Sequence, residues 1–160
     1  MYQWVVFLHI LGALIFFMAH GVSAFMAFRL RREQKLERIQ ALLDVSEMAL
    51  PVMYVSLLLL LAAGIGAGFM GNWWSKGWIG AALALMVVMV GWMAYYGNKH
   101  YTPLRLAMGA KEYRGRQGSN PPASQEEVLR LISATNPAML LGVGLGISAV
   151  ILYLMVFKPF

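Results

Sequence analysis

Four stretches of this chain stay apolar for longer than a soluble helix or strand requires, at about 4–29, 51–70, 80–99 and 137–157. A helix needs roughly 20 mostly apolar residues to cross the hydrocarbon core of a bilayer, so each stretch predicts one crossing. No segment alternates apolar and polar positions as a membrane barrel strand does. Between the crossings the pattern changes. Leu36, Ile39 and Leu43 recur at helical spacing among Glu33, Lys35, Glu37, Arg38 and Asp44. That predicts a short amphipathic helix along the inner headgroup zone, before Pro51 opens the second crossing. The stretch 115–123 holds Gly-Ser-Asn-Pro-Pro and reads as a loop. After it, Ser124 and Glu127 have capping-box spacing for a helix running to about Ala134, and Asn136 is placed to cap a helix whose first residue is Pro137. The expected fold is all-α: one integral membrane domain over 1–160, built as a four-helix bundle.

Composition agrees with this pattern. With 60% apolar and 12% charged residues, the chain has too little polar surface to clothe a soluble globule. Charge placement then sets an expected orientation. Of 13 Lys and Arg residues, Arg29, Arg31, Arg32, Lys35 and Arg38 lie between the first two crossings, and Lys99, Arg105, Lys111, Arg114, Arg116 and Arg130 lie in or beside the third connection. The positive-inside bias puts both long connections in the cytoplasm and both termini outside, an N-out, C-out arrangement. Trp73, Trp74 and Trp78 surround the short outer turn, where an aromatic belt is expected. The first crossing lacks a basic leading segment and is followed by its arginines, so it reads as a retained helix and not as a signal peptide. All seven acidic residues also fall in the two inner connections. The net charge of +6 is therefore topogenic, and nucleic-acid binding, which needs a basic face on a soluble domain, is excluded. The absence of cysteine removes disulfides, thiolate metal sites and covalent haem attachment.

The crossings restrict the chemistry further. None holds an Asp, Glu, Lys or Arg in its interior, which argues against an ion-coupled transporter, because such proteins keep a charge at membrane depth. What remains is imidazole, thioether, hydroxyl and backbone, a set suited to haem ligation or to packing. His9 and His20 are 11 residues apart. At about 100° per residue they share one face of the first crossing, about 16 Å apart along it, with Phe16 between them. On the third crossing Met86, Met89, Met93, Tyr96 and His100 form a comparable stripe. By depth, His20 is level with Met93, and His100 lies nearer the inner interface. The candidate cofactor ligands are thus His9, His20, Met93 and His100, the three histidines doubling as candidate metal ligands, with haem b held by His20 with Met93 or with His100. A second, outer haem at His9 would need Met86, Tyr153 or an open position. Lys99 and Arg105 are placed to neutralise haem propionates. Each feature also has a packing alternative. Histidines between helices can be satisfied polar contacts, methionine stripes fill cores, and the glycines at 64, 66, 68 and 71 and at 142, 144 and 146 can either pack helices or leave a flat slot for a porphyrin face.

The runs His9-Ile10-Leu11-Gly12-Ala13, Ala19-His20-Gly21-Val22-Ser23 and Phe28-Arg29-Leu30-Arg31-Arg32-Glu33 resemble the opening of a group of small bacterial four-helix integral membrane proteins. More distantly, that group is similar to the copper-resistance D-type and HemJ-type membrane proteins. The resemblance covers mainly the first 50 residues. It implies a bacterial inner-membrane location, and by position it gives His9 the haem-binding role of the first-helix histidine of HemJ-type chains. Those chains also carry basic residues in a later helix for protoporphyrinogen chemistry, and the crossings here hold none. Nor does an exterior Met-x-x-Met or His-rich segment exist to collect copper. Two functions are therefore expected of the sequence: a haem b-binding membrane redox protein that transfers electrons, or a non-catalytic accessory or assembly subunit. Its partners would be the lipid bilayer and either a larger membrane complex or further copies of itself.

Overall fold

The computed structural model describes residues 1–110, 112–113, 116–118 and 122–160. It is helical along nearly its whole described length: α1 (Tyr2–Leu30), α2 (Leu36–Met70), α3 (Gly77–Tyr96), a π-helical turn (Gly97–Tyr101), α4 (Thr102–Ala107), α5 (Gln125–Ser133) and α6 (Pro137–Phe157). Four helical stretches are long and apolar enough to cross a membrane. Large apolar side chains such as Phe7, Leu14, Leu58, Val87 and Leu152 remain exposed on them, as lipid contact requires. Of the loop expected at 115–123, residues 115 and 119–121 lie outside the described residues, as do Lys111 and Arg114. Residues 112–113 and 116–117 pair as two short antiparallel strands, β1 (Glu112–Tyr113) and β2 (Arg116–Gln117).

The helices associate as two antiparallel pairs. In the first, α1 against α2, the contacts run in opposite order along the two helices. A Cβ on Gly66 would touch Val5, one on Gly64 would touch His9, one on Gly12 would meet Leu60 and Ser56, and Leu30 packs with Ile39 and Leu43. Gly12 marks the closest approach, because its absent side chain lets the two backbones meet. In the second pair, α3 against α6, Trp78 packs with Leu154, Ser148 Oγ approaches Met89 Sδ at 3.3 Å, and the Tyr96 hydroxyl accepts a 2.5 Å bond from the Asn136 backbone N–H. Contacts between the two pairs are sparse by comparison.

Two expectations change. The segment from Leu36 is not a separate short helix. It forms the first turns of α2, which continues unbroken through Pro51. Ile39 and Leu43, the apolar edge of that segment, are buried with Leu30, Leu104, Ala107, Val128 and Ile132, so α4 and α5 of the same chain cover it. The amphipathic pattern was correctly read as one apolar stripe, but the stripe meets protein. Likewise the third crossing runs past residue 99. Pro103 cannot donate to the Lys99 carbonyl, and the turn before it widens to the i+5 pattern, with the Thr102 N–H bonded to the Gly97 carbonyl. The helical path then continues to Ala107.

Capping follows the sequence closely. Ser124 Oγ accepts from the Glu127 N–H at 3.3 Å, and Asn136 Oδ1 accepts from the Met139 N–H at 3.0 Å. Arg31, just past α1, donates through Nη1 to the Ser133 carbonyl at 2.9 Å and to the Thr135 carbonyl, satisfying carbonyls freed where α5 ends. At the opposite end, Trp73 and Trp78 lie 5.6 Å apart with the Lys158 ammonium 4.3 Å from the Trp73 ring, closing the second pair around an aromatic cluster.

Candidate functional site

A cavity of about 180 Å³ lies in the half of the bundle that carries both long connections. All four crossings line it: Phe16, His20, Ser23 and Leu30 from α1, Leu43, Ser46, Met53 and Leu57 from α2, Val90, Met93 and Gly97 with the following turn, and Pro137, Leu140 and Leu141 from α6. It exists because the two helix pairs pack tightly within themselves and loosely against each other. The π-helical turn shapes its end. By widening the path after Gly97, it brings Tyr101, Thr102 and Arg105 to the lining.

His20 is the central polar group. Its ring stacks on Phe16 with centroids 6.0 Å apart and planes 3° from parallel, which fixes the imidazole plane. Gly144 on α6 faces it. A Cβ built there would lie 2.5 Å from Met93 Cε and 3.8 Å from His20 Nε2, so the thioether end and the imidazole nitrogen converge on one bare stretch of backbone. Gly142 and Gly146, the neighbouring glycines of α6, have nothing within 4 Å of such a Cβ. Only the middle glycine is therefore used in this way.

Among the described residues no hydrogen bond is made by the ring of His20, and Ser23 Oγ, also in the lining, is buried without a hydrogen-bond partner. A buried hydroxyl left unpaired costs about 1–3 kcal/mol, so native interiors rarely keep one unless water or a ligand satisfies it. At the connection end the cavity meets Arg105. Its side chain is 8% exposed, donates from Nη1 to Glu47 Oε2 at 2.5 Å and donates from Nη2 to the Leu43 carbonyl at 2.5 Å. On the other side of Arg105 is a second cavity of about 190 Å³, lined by Gln40, Asp44, Glu47 and Met108 among others.

The other two histidines lie elsewhere. His9 is in the opposite half of α1, where Nδ1 donates to the Leu60 carbonyl at 2.8 Å and the ring occupies the space that a side chain at Gly64 would fill. Because a carbonyl only accepts, the proton of this bond is carried by Nδ1. His100 lies in the π-helical turn with its ring centroid 4.4 Å from that of Tyr96. Of the ligand pairs expected from sequence, His20 and Met93 are brought to one cavity, whereas His9 and His100 are outside its lining. Among the described residues there is no cluster of three or more His, Asp and Glu side chains able to hold a metal ion.

Sequence reasoning placed Arg105 at the membrane edge, where it could neutralise a haem propionate, and missed that it is buried. Its carboxylate partner lies 58 residues away on α2, a distance over which no local pattern carries information. Ser23 gave no signal either, since a serine hydroxyl in an apolar helix more often bonds its own backbone. Comparison with known proteins adds nothing to this geometry: no family model, curated protein or solved structure matches the chain.

Proposed function

We propose that this protein binds haem b within the membrane, between its two helix pairs, with His20 and Met93 as axial ligands, and that it serves in electron transfer. The observation that carries this reading is the convergence of His20 Nε2 and Met93 Cε on Gly144, in a cavity where the imidazole has no hydrogen-bonding duty of its own. Imidazole and thioether are ordinary axial ligands, and that pair favours a raised potential. The residues fit the group in other respects. Phe16 holds the plane of the ligand ring, Leu57, Val90 and Leu140 supply apolar walls that exclude water, and the absent side chain of Gly144 admits the end of Met93 beside His20. When bound, haem b supplies one-electron chemistry. The cavity as it stands is below the roughly 300–1,000 Å³ of common small-molecule sites, so loading has to part the two helix pairs along their sparse mutual contact. In this reading the long connections face the cytoplasm of a bacterial cell and both termini face outward, by the distribution of cations.

The spectrum of the detergent-purified full chain tests the proposal. A reduced b-type haem gives a Soret band and a sharp α band, and His20→Ala should remove most bound haem because no neighbouring apolar group replaces an axial bond. His9→Ala should retain it, since the His9 ring is occupied with the Leu60 carbonyl on the far side of the bundle. Full retention in His20→Ala would defeat the proposed ligation. The alternative reading, an accessory subunit of a larger membrane complex or a self-associating chain, rests on the exposed apolar helix faces. The apolar edge at Ile39 and Leu43, which could otherwise meet lipid or a partner, is covered by this chain's own α4 and α5. A chain isolated without haem that takes none up would favour that alternative.

A further inference from the structure

Arg105 stands as a septum between two cavities. It lines both the intramembrane cavity of His20 and the polar one bounded by Gln40, Asp44 and Glu47. Two of its polar contacts differ in permanence. The Leu43 carbonyl belongs to the backbone of α2, but the Glu47 side chain is 50% exposed and can turn toward water while the guanidinium stays buried. A guanidinium presents donors in a planar fork that suits a carboxylate, so one carboxylate can take the place of another with little rearrangement.

Resting on the haem reading, we propose that Arg105 is the receptor for a haem propionate and that Glu47 is its stand-in before loading. Arg105 would then hold the carboxylate edge of the macrocycle at the connection end, and His20 and Met93, which line the same cavity, would hold the iron. On loading, Glu47 is exchanged for the propionate, so Arg105 is never left buried without a counter-charge, a state that is strongly unfavourable. The exchange also fixes the direction of access: the polar cavity at Arg105 opens beside the long connections, and the propionates trail at that end.

The test compares ferric protoporphyrin IX with its dimethyl ester, both titrated into the full-length protein in detergent and read by the Soret shift. Wild type should bind the free acid about tenfold or more tightly than the diester, the worth of one charge-assisted contact. Arg105→Gln should bring the two to near parity while leaving the low-spin spectrum of the diester complex as in wild type. Glu47→Gln should act in the opposite direction, tightening the free acid several-fold by removing the competing carboxylate, which a merely structural ion pair would not do. The inference is overturned if wild type binds acid and diester alike, if Arg105→Gln keeps the wild-type preference, or if Glu47→Gln weakens free-acid binding as much as Arg105→Gln. If wild type shifts neither porphyrin, the haem reading itself falls and this assignment with it.

Discussion

Single atoms decide how closely the helices of this protein approach. A Cβ on Gly12 would meet Leu60 N at 2.9 Å, Leu60 Cα at 3.1 Å and the Ser56 carbonyl at 3.2 Å, all backbone atoms of a helix that cannot yield locally. Gly21, nine residues on in the same helix, has nothing within 4 Å. Gly12→Ala should therefore lower the thermal midpoint in detergent, by about 1–3 kcal/mol of overpacking. Gly21→Ala should leave it unchanged or raise it, because alanine is the better helix former by about 1 kcal/mol. Equal loss in both would mean that the α1–α2 crossing is not where the structure places it. Gly64 works with a side chain instead of a backbone. Its missing Cβ admits the His9 ring, and the ring then reaches the Leu60 carbonyl four residues earlier on the same face of α2. Glycine spacing alone made these positions look alike; the identity of the opposing atom separates them.

At the scale of elements, the connection end of the bundle is held by a small core shared between α1, α2, α4 and α5. Ile39 has no exposed surface in it, and Leu104 and Val128 are as deeply buried. Ile39→Asp would place a carboxylate there without a partner, at a cost of about 3 kcal/mol or more. The expected result is protease sensitivity of the connections in the isolated protein, with no partner present. A variant as resistant as wild type would contradict the packing of α5 over α2. Periodicity alone does not lead to this outcome, because it defines an apolar stripe without saying whether lipid, a partner or the chain itself will cover it. The π-helical turn is a similar case. Pro103 was visible, and it disfavours a regular helix across Lys99, but whether the chain would break or bulge depended on what the following residues could pack against.

For the molecule as a whole, orientation is the property on which the direction of access depends. A reporter fused after Arg116 should read cytoplasmic and one fused at Phe160 external, because 11 of the 13 cations flank the two long connections. The reverse result would turn the cavity and its Arg105 end toward the outside. The looseness between the two helix pairs is a global property too. Within each pair, close backbone approach or aromatic packing holds the helices, while between the pairs a cavity lies where further packing would otherwise be.

The number of crossings, the capping of α5 and α6 and the positions of the charged connections were determined by the sequence, since hydropathy over 20 residues, cap chemistry and cation count act locally and leave local marks. The stripe of His9, Phe16 and His20 was equally legible, because helical periodicity fixes which residues share a face. Tertiary structure alone decided what each member of that stripe meets. His9 goes to a backbone carbonyl of α2, Phe16 to the His20 ring, and His20 to the open cavity beside Met93 and Gly144. It also decided that Arg105, legible in sequence only as a cation of the third connection, is buried against Glu47. A face has a direction only relative to its neighbours, and the pairing of α1 with α2 and α3 with α6 is set by complementary surfaces far apart in the chain, which no local pattern encodes.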